Sequence, residues 1–311
     1  MSDTEEQQSV KQEVAAEPGD ILRGALPLAY ITLNLAIWIL PLLLLALLKL
    51  AIPITVIKQG LYKVMIGFYF LAVKIDLFLF QSILGIRFEV DPLDDLQKNK
   101  NYLIVSNHQS WSDILVLQSI LIDHTPIIKF IVKKEILYLP LVGLICWAYE
   151  YPLVHRSSNK TKITENKNLS RDLQVLGDKL VNMGKNPAAI INFAEGSRFT
   201  EARRQKYKSP HEHLLKSRTG GLYFILNTFG QKIDYLLDFT LVYDVSEPIF
   251  FKFLGRRCRS VKVRVNKFSM PELLQSLKGE ADDLDFEKVD TWLKSFWAGK
   301  DRIIDRIQKV R

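Results

Sequence analysis

The run Asn107-His108-Gln109-Ser110-Trp111-Ser112-Asp113 holds a pair of side chains suited to moving a proton. Histidine changes charge near neutral pH, which fits it to accept a proton from a hydroxyl. Asp113, five positions on across a turn, can fold back onto the other ring nitrogen, fix the tautomer and stabilise the imidazolium. The bland reading makes Ser112 or Asp113 a helix cap and His108 an ordinary turn residue. A second candidate is Phe193-Ala194-Glu195-Gly196-Ser197-Arg198. Gly196 permits a tight turn with exposed N–H groups. Arg198 offers a fork suited to phosphate, and Glu195 can orient a hydroxyl or an arginine. Its bland reading is a strand-end turn with a surface ion pair.

Both runs follow apolar segments that read as buried strands, Asn101–Ser106 and Ala188–Phe193. The ends of strands are where α/β sheets place their sites. Pro126–Val132 and Glu150–Val154 read as further strands, and they deliver Lys133, Lys134 and Arg156 at their ends. Leu236–Tyr243 and Ser260–Phe268 complete the strand set. Helical period marks Ile114–Ile122, Ile163–Met183, Gly220–Phe229 and the charged amphipathic stretch Leu284–Val310. Strands alternating with helices predict an α/β domain with a largely parallel sheet.

The 311 residues carry 42 Lys/Arg against 34 Asp/Glu, a net charge of +8. Residues 1–23 alone are −4, so the rest of the chain is +12. A basic body suits phosphate-bearing partners. From His155 to Arg218 there are 14 Lys/Arg against six Asp/Glu, which reads as a solvated charged face or, since it flanks both candidate runs, as an anion-binding rim. Basic residues without interleaved aromatics argue against nucleic acid. Residues 1–23 are acidic and aperiodic and read as a disordered tail. Gly24 to Leu48 carries no charge, and the 24 residues from Ala25 span about 36 Å as a helix, against about 30 Å of hydrocarbon. Pro41 interrupts that run, which predicts a kinked span or a re-entrant hairpin. Residues 61–86 are a second apolar stretch, broken by Lys63, Lys74 and Asp76, and read as interfacial or partly buried. The expected domains are therefore a tail over 1–23, membrane-anchoring helices over 24–90 and an α/β domain over 91–311.

The chain lacks G-x-S-x-G, G-x-x-x-x-G-K-[ST], H-E-x-x-H and G-x-G-x-x-G. Its two cysteines, Cys146 and Cys258, cannot build a disulfide scaffold. His211-x-His213 reads as a surface turn, so no metal and no cofactor is expected.

His108-x4-Asp113, followed about 80 residues later by Phe-x-Glu-Gly-Ser-Arg, resembles the glycerophospholipid acyltransferase family, the 1-acylglycerol-3-phosphate acyltransferases. The resemblance covers roughly residues 90–245. The wording of Asn107–Asp113, Phe193–Thr200, Leu215–Gly220 and Trp292–Ile304 is most similar to the branch of YihG-type bacterial acyltransferases and multispan eukaryotic relatives. Two blocks depart from the family pattern. Leu153-Val154-His155-Arg156 keeps only the arginine, and Thr240–Tyr243 has no proline.

The resemblance implies that His108 deprotonates the acceptor hydroxyl, that Asp113 orients His108, and that no acyl-enzyme forms. It implies that Glu195, Gly196, Ser197 and Arg198 hold the acceptor's glycerol phosphate, with Arg156 and Lys133 or Lys134 assisting. The implied partners are acyl-CoA or acyl-carrier protein as donor, a lysophospholipid as acceptor, and the bilayer. The expected location is the inner membrane with the catalytic domain facing the cytoplasm. Competing readings are an acyltransferase for another lipid acceptor, a lipid hydrolase using Ser110 or Ser197, and a non-catalytic membrane-associated lipid binder.

Overall fold

A computed structural model describes residues 16–133, 137–139, 141–151, 153–154, 186–247, 249–280 and 282–309. Lys134, Arg156 and the helix expected over Ile163–Met183 lie outside the described residues. Of Lys133 only the backbone is described.

Two long apolar helices come first, α1 (Pro18–Ala51) and α2 (Thr55–Phe78), the second running on through a π-turn at Leu79–Ile83. α1 begins inside the expected tail and continues as one helix through Pro27 and Pro41, so the hairpin expected at Pro41 does not form. The helices are joined by Asn34, whose amide donates to Asp76 Oδ1 at 2.9 Å and to the carbonyl of Ala72 at 2.9 Å. Both are long and apolar enough to cross a membrane. Leu26, Leu33, Ile37, Leu40, Leu44 and Leu47 recur at helical spacing along α1 and are all exposed. An outward apolar stripe of this length is a membrane-facing or docking surface, not a surface for water.

The sheet strands are β1 (Arg87–Val90), β2 (Tyr102–Ser106), β3 (Ile127–Phe130), β6 (Ala188–Phe193), β7 (Tyr235–Tyr243) and β8 (Ser260–Ser269). A separate pair is formed by β4 (Val132–Lys133) and β5 (Leu153–Val154). The six-stranded order is β1-β8-β7-β2-β6-β3. β7, β2, β6 and β3 run parallel, β8 is antiparallel to β7, and β1 is parallel to β8. The sheet is therefore mixed. β1 falls within the segment 24–90 expected to hold only membrane helices, so the sheet begins at Arg87. An edge strand of four residues with alternating burial gives too short a pattern to read from sequence.

All of β2 is buried, as suits a parallel strand covered on both faces. The helices between strands are α3 (Ser112–Leu121), α4 (Val142–Ala148), α5 (Glu201–Lys206), α6 (Thr219–Phe229) and α7 (Ile249–Leu254), and α8 (Met270–Ser276) follows the last strand. The last helix, α9 (Phe286–Lys309), buries Val289, Leu293, Trp297, Lys300, Ile304 and Ile307 at spacings of three and four. α1 also packs on α7. A Cβ on Gly24 would lie 3.2 Å from the Phe251 ring, and Arg257 Nε lies 2.6 Å from the buried carboxylate of Asp20.

Candidate active site

In the register of the parallel block, Ser106 of β2 stands beside Phe193 of β6 and Phe239 of β7. The turns that follow β2 and β6 therefore leave the sheet side by side. Asn107 fixes the first turn: its amide donates to the Leu241 carbonyl at 2.9 Å, and its own oxygen accepts from the Leu241 N–H at 2.8 Å. The side chain acts as one more rung of the ladder.

His108 Nδ1 lies 2.8 Å from Asp113 Oδ2. The same oxygen accepts the N–H groups of Gln109 at 2.7 Å and Ser110 at 2.9 Å. Oδ1 accepts the Tyr243 hydroxyl at 2.7 Å. Asp113 is fully buried, and as a carboxylate it only accepts. Nδ1 must then carry the proton of the neutral ring, which leaves the Nε2 lone pair free to take another. The ring stacks on Phe193 with centroids 4.1 Å apart, and its side chain keeps 15% of its exposure. Burial and the Asp113 charge push the Tyr243 phenol well above its ordinary range, so it stays a donor.

Glu195 turns inward, away from the open side of the turn. Its two oxygens accept from the backbone N–H of His108 at 2.8 Å and of Leu215 at 2.7 Å. The geometry gives it the part of a brace between two loops, where the sequence suggests a substrate ligand. Burial pushes its carboxyl up to about 8, opposed by those two N–H donors and by Lys300. Phe199 N–H donates to the His108 carbonyl at 2.6 Å and ties the same two turns a second time.

Gly196 has φ +68°, and a Cβ there would lie 3.0 Å from Cδ of Arg218. Only glycine suits both the backbone and the approach. Arg218 is exposed and lies against the turn. The Arg198 guanidinium lies 5.2 Å from the Trp111 ring centre. Ser197 Oγ is buried with no hydrogen-bond partner among the described residues. The structure thus brings His108, Asp113, Gly196, Ser197 and Arg198 to one edge and adds Arg218. Lys133 lies in the separate β4–β5 pair.

An apolar cavity of about 380 Å³ opens beside this edge between α1, α2, α3 and α4. Trp38 and Ile39, Phe68 and Ala72, Ile114 and Leu115, and Tyr149 line it. Trp111, three residues past His108, also lines it.

The acyltransferase family model matches residues 87–235, from the first residue of β1 to the first of β7, and takes in both turns. Residues 87–235 carry the acyltransferase domain, and the named relatives are glycerophospholipid acyltransferases. The chain is 26% identical over 217 residues to 1-acyl-sn-glycerol-3-phosphate acyltransferase 2 of Arabidopsis thaliana, covering 66% of this chain and 51% of that protein. It is 35% identical over 85 residues to the human 1-acyl-sn-glycerol-3-phosphate acyltransferase beta, covering 27% and 30%. The chain thus spans about half or less of the length of these curated relatives. The crystal structure of PlsC, the 1-acyl-sn-glycerophosphate acyltransferase of Thermotoga maritima, superposes with a TM-score of 0.52 at 14% identity. That match covers 91% of this chain and 97% of that one, and it extends the family fold over the N-terminal helices.

Three residues that are not among the expected site residues support the site. Tyr243 closes a strand otherwise broken only by Asp238 and Thr240. Lys300 is fully buried and donates to Asp238, to the Phe239 carbonyl at 2.7 Å and to Thr240 Oγ1 at 3.2 Å. Trp297 Nε1 donates to the Leu215 carbonyl at 3.1 Å, and Leu215 in turn holds Glu195. The sequence signal for Lys300 is its place in the apolar stripe of α9, facing the acid in the middle of β7.

Proposed function

We propose that the protein transfers a fatty acyl group from acyl-CoA or acyl-carrier protein to 1-acylglycerol-3-phosphate, giving phosphatidic acid. The observation that carries this reading is the His108–Asp113 pair, with Nε2 left free on the turn whose Trp111 lines an apolar cavity. Nε2 takes the proton of the acceptor hydroxyl as its oxygen attacks the thioester carbonyl. The tetrahedral intermediate collapses, the C–S bond breaks, and the imidazolium returns the proton to the departing thiolate. Asp113 holds the tautomer and offsets the imidazolium charge. No bond to the enzyme forms.

Arg198, two residues past Gly196, and Arg218, against the Gly196 turn, supply the charge for the acceptor's phosphate. The cavity by the N-terminal helices takes the acyl tail, whose transfer from water is favourable by about 0.8 kcal/mol per buried CH₂. The exposed stripe of α1 sets the molecule on the inner membrane, with the catalytic edge facing the cytoplasm.

A lipid hydrolase would need a serine against His108 Nε2. Ser110 is buried, and its Oγ bonds the hydroxyl and N–H of Ser112. The test is purified protein in mixed micelles with labelled acyl-CoA and a panel of lysophospholipids. Labelled phosphatidic acid is expected with lysophosphatidate. Release of free fatty acid alone would support the hydrolase instead.

A further inference from the structure

A second depression, about 780 Å³, opens beside the first turns of α1, α7 and the loop that leads into β8. Its lining carries Arg23, Lys252, Arg256, Arg257 and Arg259 against one carboxylate, Asp244. Asp244 is engaged by backbone: its oxygens accept from the N–H groups of Arg259 and Ser260, each at 2.9 Å. Lys252 Nζ donates to the carbonyls of Ser246 and Glu247, and Arg257 pairs with Glu17 and Asp20. No described residue pairs with the guanidinium of Arg256 or of Arg259, and both residues are exposed.

Arg256 holds φ +62°, at the left-handed position that ends α7. Glycine is the usual occupant there, and any other residue costs about 1 kcal/mol. The neighbouring glycine is spent on a close approach, since a Cβ on Gly255 would lie 2.7 Å from the Phe251 carbonyl. The backbone of Arg257 and Cys258, donating to the Lys252 carbonyl at 2.9 and 3.0 Å, holds the arginine in that conformation.

The cleft lies next to the catalytic edge. Asp244 directly follows Tyr243, the partner of Asp113. α7 is the ridge between the two openings: its Phe250 lines the apolar cavity and its Lys252 lines the basic cleft. A donor with an apolar tail in one and an anionic head in the other would straddle α7 with its reacting carbon near His108.

We propose that this cleft binds the phosphorylated nucleotide end of a coenzyme A thioester, with Arg256 and Arg259 on its 3′-phosphate. The proposal rests on the acyl-transfer reading and chooses the thioester donor within it. Arginine forks suit a phosphate monoester, and two of them without competing carboxylates favour it over a neutral head.

The test compares palmitoyl-CoA with 3′-dephospho-palmitoyl-CoA in the full chain and in Arg256→Gly and Arg259→Gln. The glycine variant relieves the left-handed backbone, so it should fold at least as well. Loss of the 3′-phosphate should raise the donor KM of the unaltered protein about tenfold. Each variant should show that rise with palmitoyl-CoA and little further change with the dephospho donor. Unchanged KM in both variants, or equal rises for both donors, would overturn the proposal. So would a rise confined to an acyl-carrier-protein donor. Loss of binding to phosphatidylglycerol vesicles with the CoA KM intact would assign the cleft to lipid head groups instead. Should the unaltered protein transfer no acyl group at all, the failure belongs to the proposed function. Calorimetry with free CoA against dephospho-CoA then still reads the cleft, a tenfold preference that Arg256→Gly abolishes being the expected result.

Discussion

At the residue scale the site is a set of hydrogen bonds with little freedom in them. Asp113 spends one oxygen on His108 and two N–H groups and the other on Tyr243. His108→Ala should lower kcat by about 10³-fold with expression kept, since general-base catalysis contributes roughly 10²–10⁴. Near-normal turnover of the purified variant would end the assignment. Arg198→Lys keeps the charge but loses the fork, so it should raise the acceptor KM more than it lowers kcat. A phosphate-free monoacylglycerol acceptor should feel the change far less. Equal loss with both acceptors would make Arg198 a residue that shapes the turn. Glu195 gives the site a pH signature. Its folded value of about 8 lies above the 4.5 of an unfolded chain, so the folded state binds the extra proton between them. Stability from this group is full below about 4.5 and is lost as pH rises toward 8. Denaturant midpoints of the unaltered protein should therefore fall across that window relative to Glu195→Gln, and parallel curves would refute the raised value.

At the element scale the buried pair Lys300–Asp238 fastens α9 to the middle of the sheet. Lys300→Met leaves the buried Asp238 carboxylate without its countercharge, with only the Asn266 amide on it, and should cost about 3–5 kcal/mol. The double variant Lys300→Met, Asp238→Leu should recover much of that, because the pair's desolvation goes with it. Unfolding of both in detergent measures the difference, and equal losses would show that the pair itself stabilises. Lys300 also marks a limit of sequence reading. The strands β2, β3, β6, β7 and β8 and the helices α3, α6 and α9 are legible from apolar runs and periods, and the two turns from their residue types. Glu195 is legible as a site residue but not as a brace, because only the tertiary fold puts the N–H groups of His108 and Leu215 on its oxygens. β1 is too short to show a period, and the antiparallel turn of β8 leaves no mark in composition. Pro41 reads as a break, yet α1 passes through it.

At the scale of the whole molecule, one cavity is lined by the helical pair and by residues of the sheet domain, so the proposed function joins anchoring to chemistry. The exposed stripe can be altered without touching that cavity. Leu33 and Leu40 are 60% and 73% exposed and line no cavity described here. Replacing both by Asp should leave secondary structure and the cavity lining unchanged and lower co-flotation with phospholipid vesicles several-fold. Intact flotation would place the membrane contact elsewhere. Removing residues 1–15 should change neither flotation nor activity, since α1 begins after them.

The pairing of β1 with β8 fixes an order of events during synthesis. The chain leaves the ribosome from its N-terminus, so the two apolar helices emerge before any strand. Arg87–Val90 must then wait for Ser260–Val263 to be made before it has a partner. Asp238 likewise waits, unneutralised within β7, until Lys300 arrives on the last helix. Contacts so distant along the chain form late. The apolar hairpin can therefore meet a bilayer while the sheet is still incomplete, and the catalytic edge closes last. On the proposed function, a nascent chain halted before Lys300 would meet the membrane with its active site unfinished.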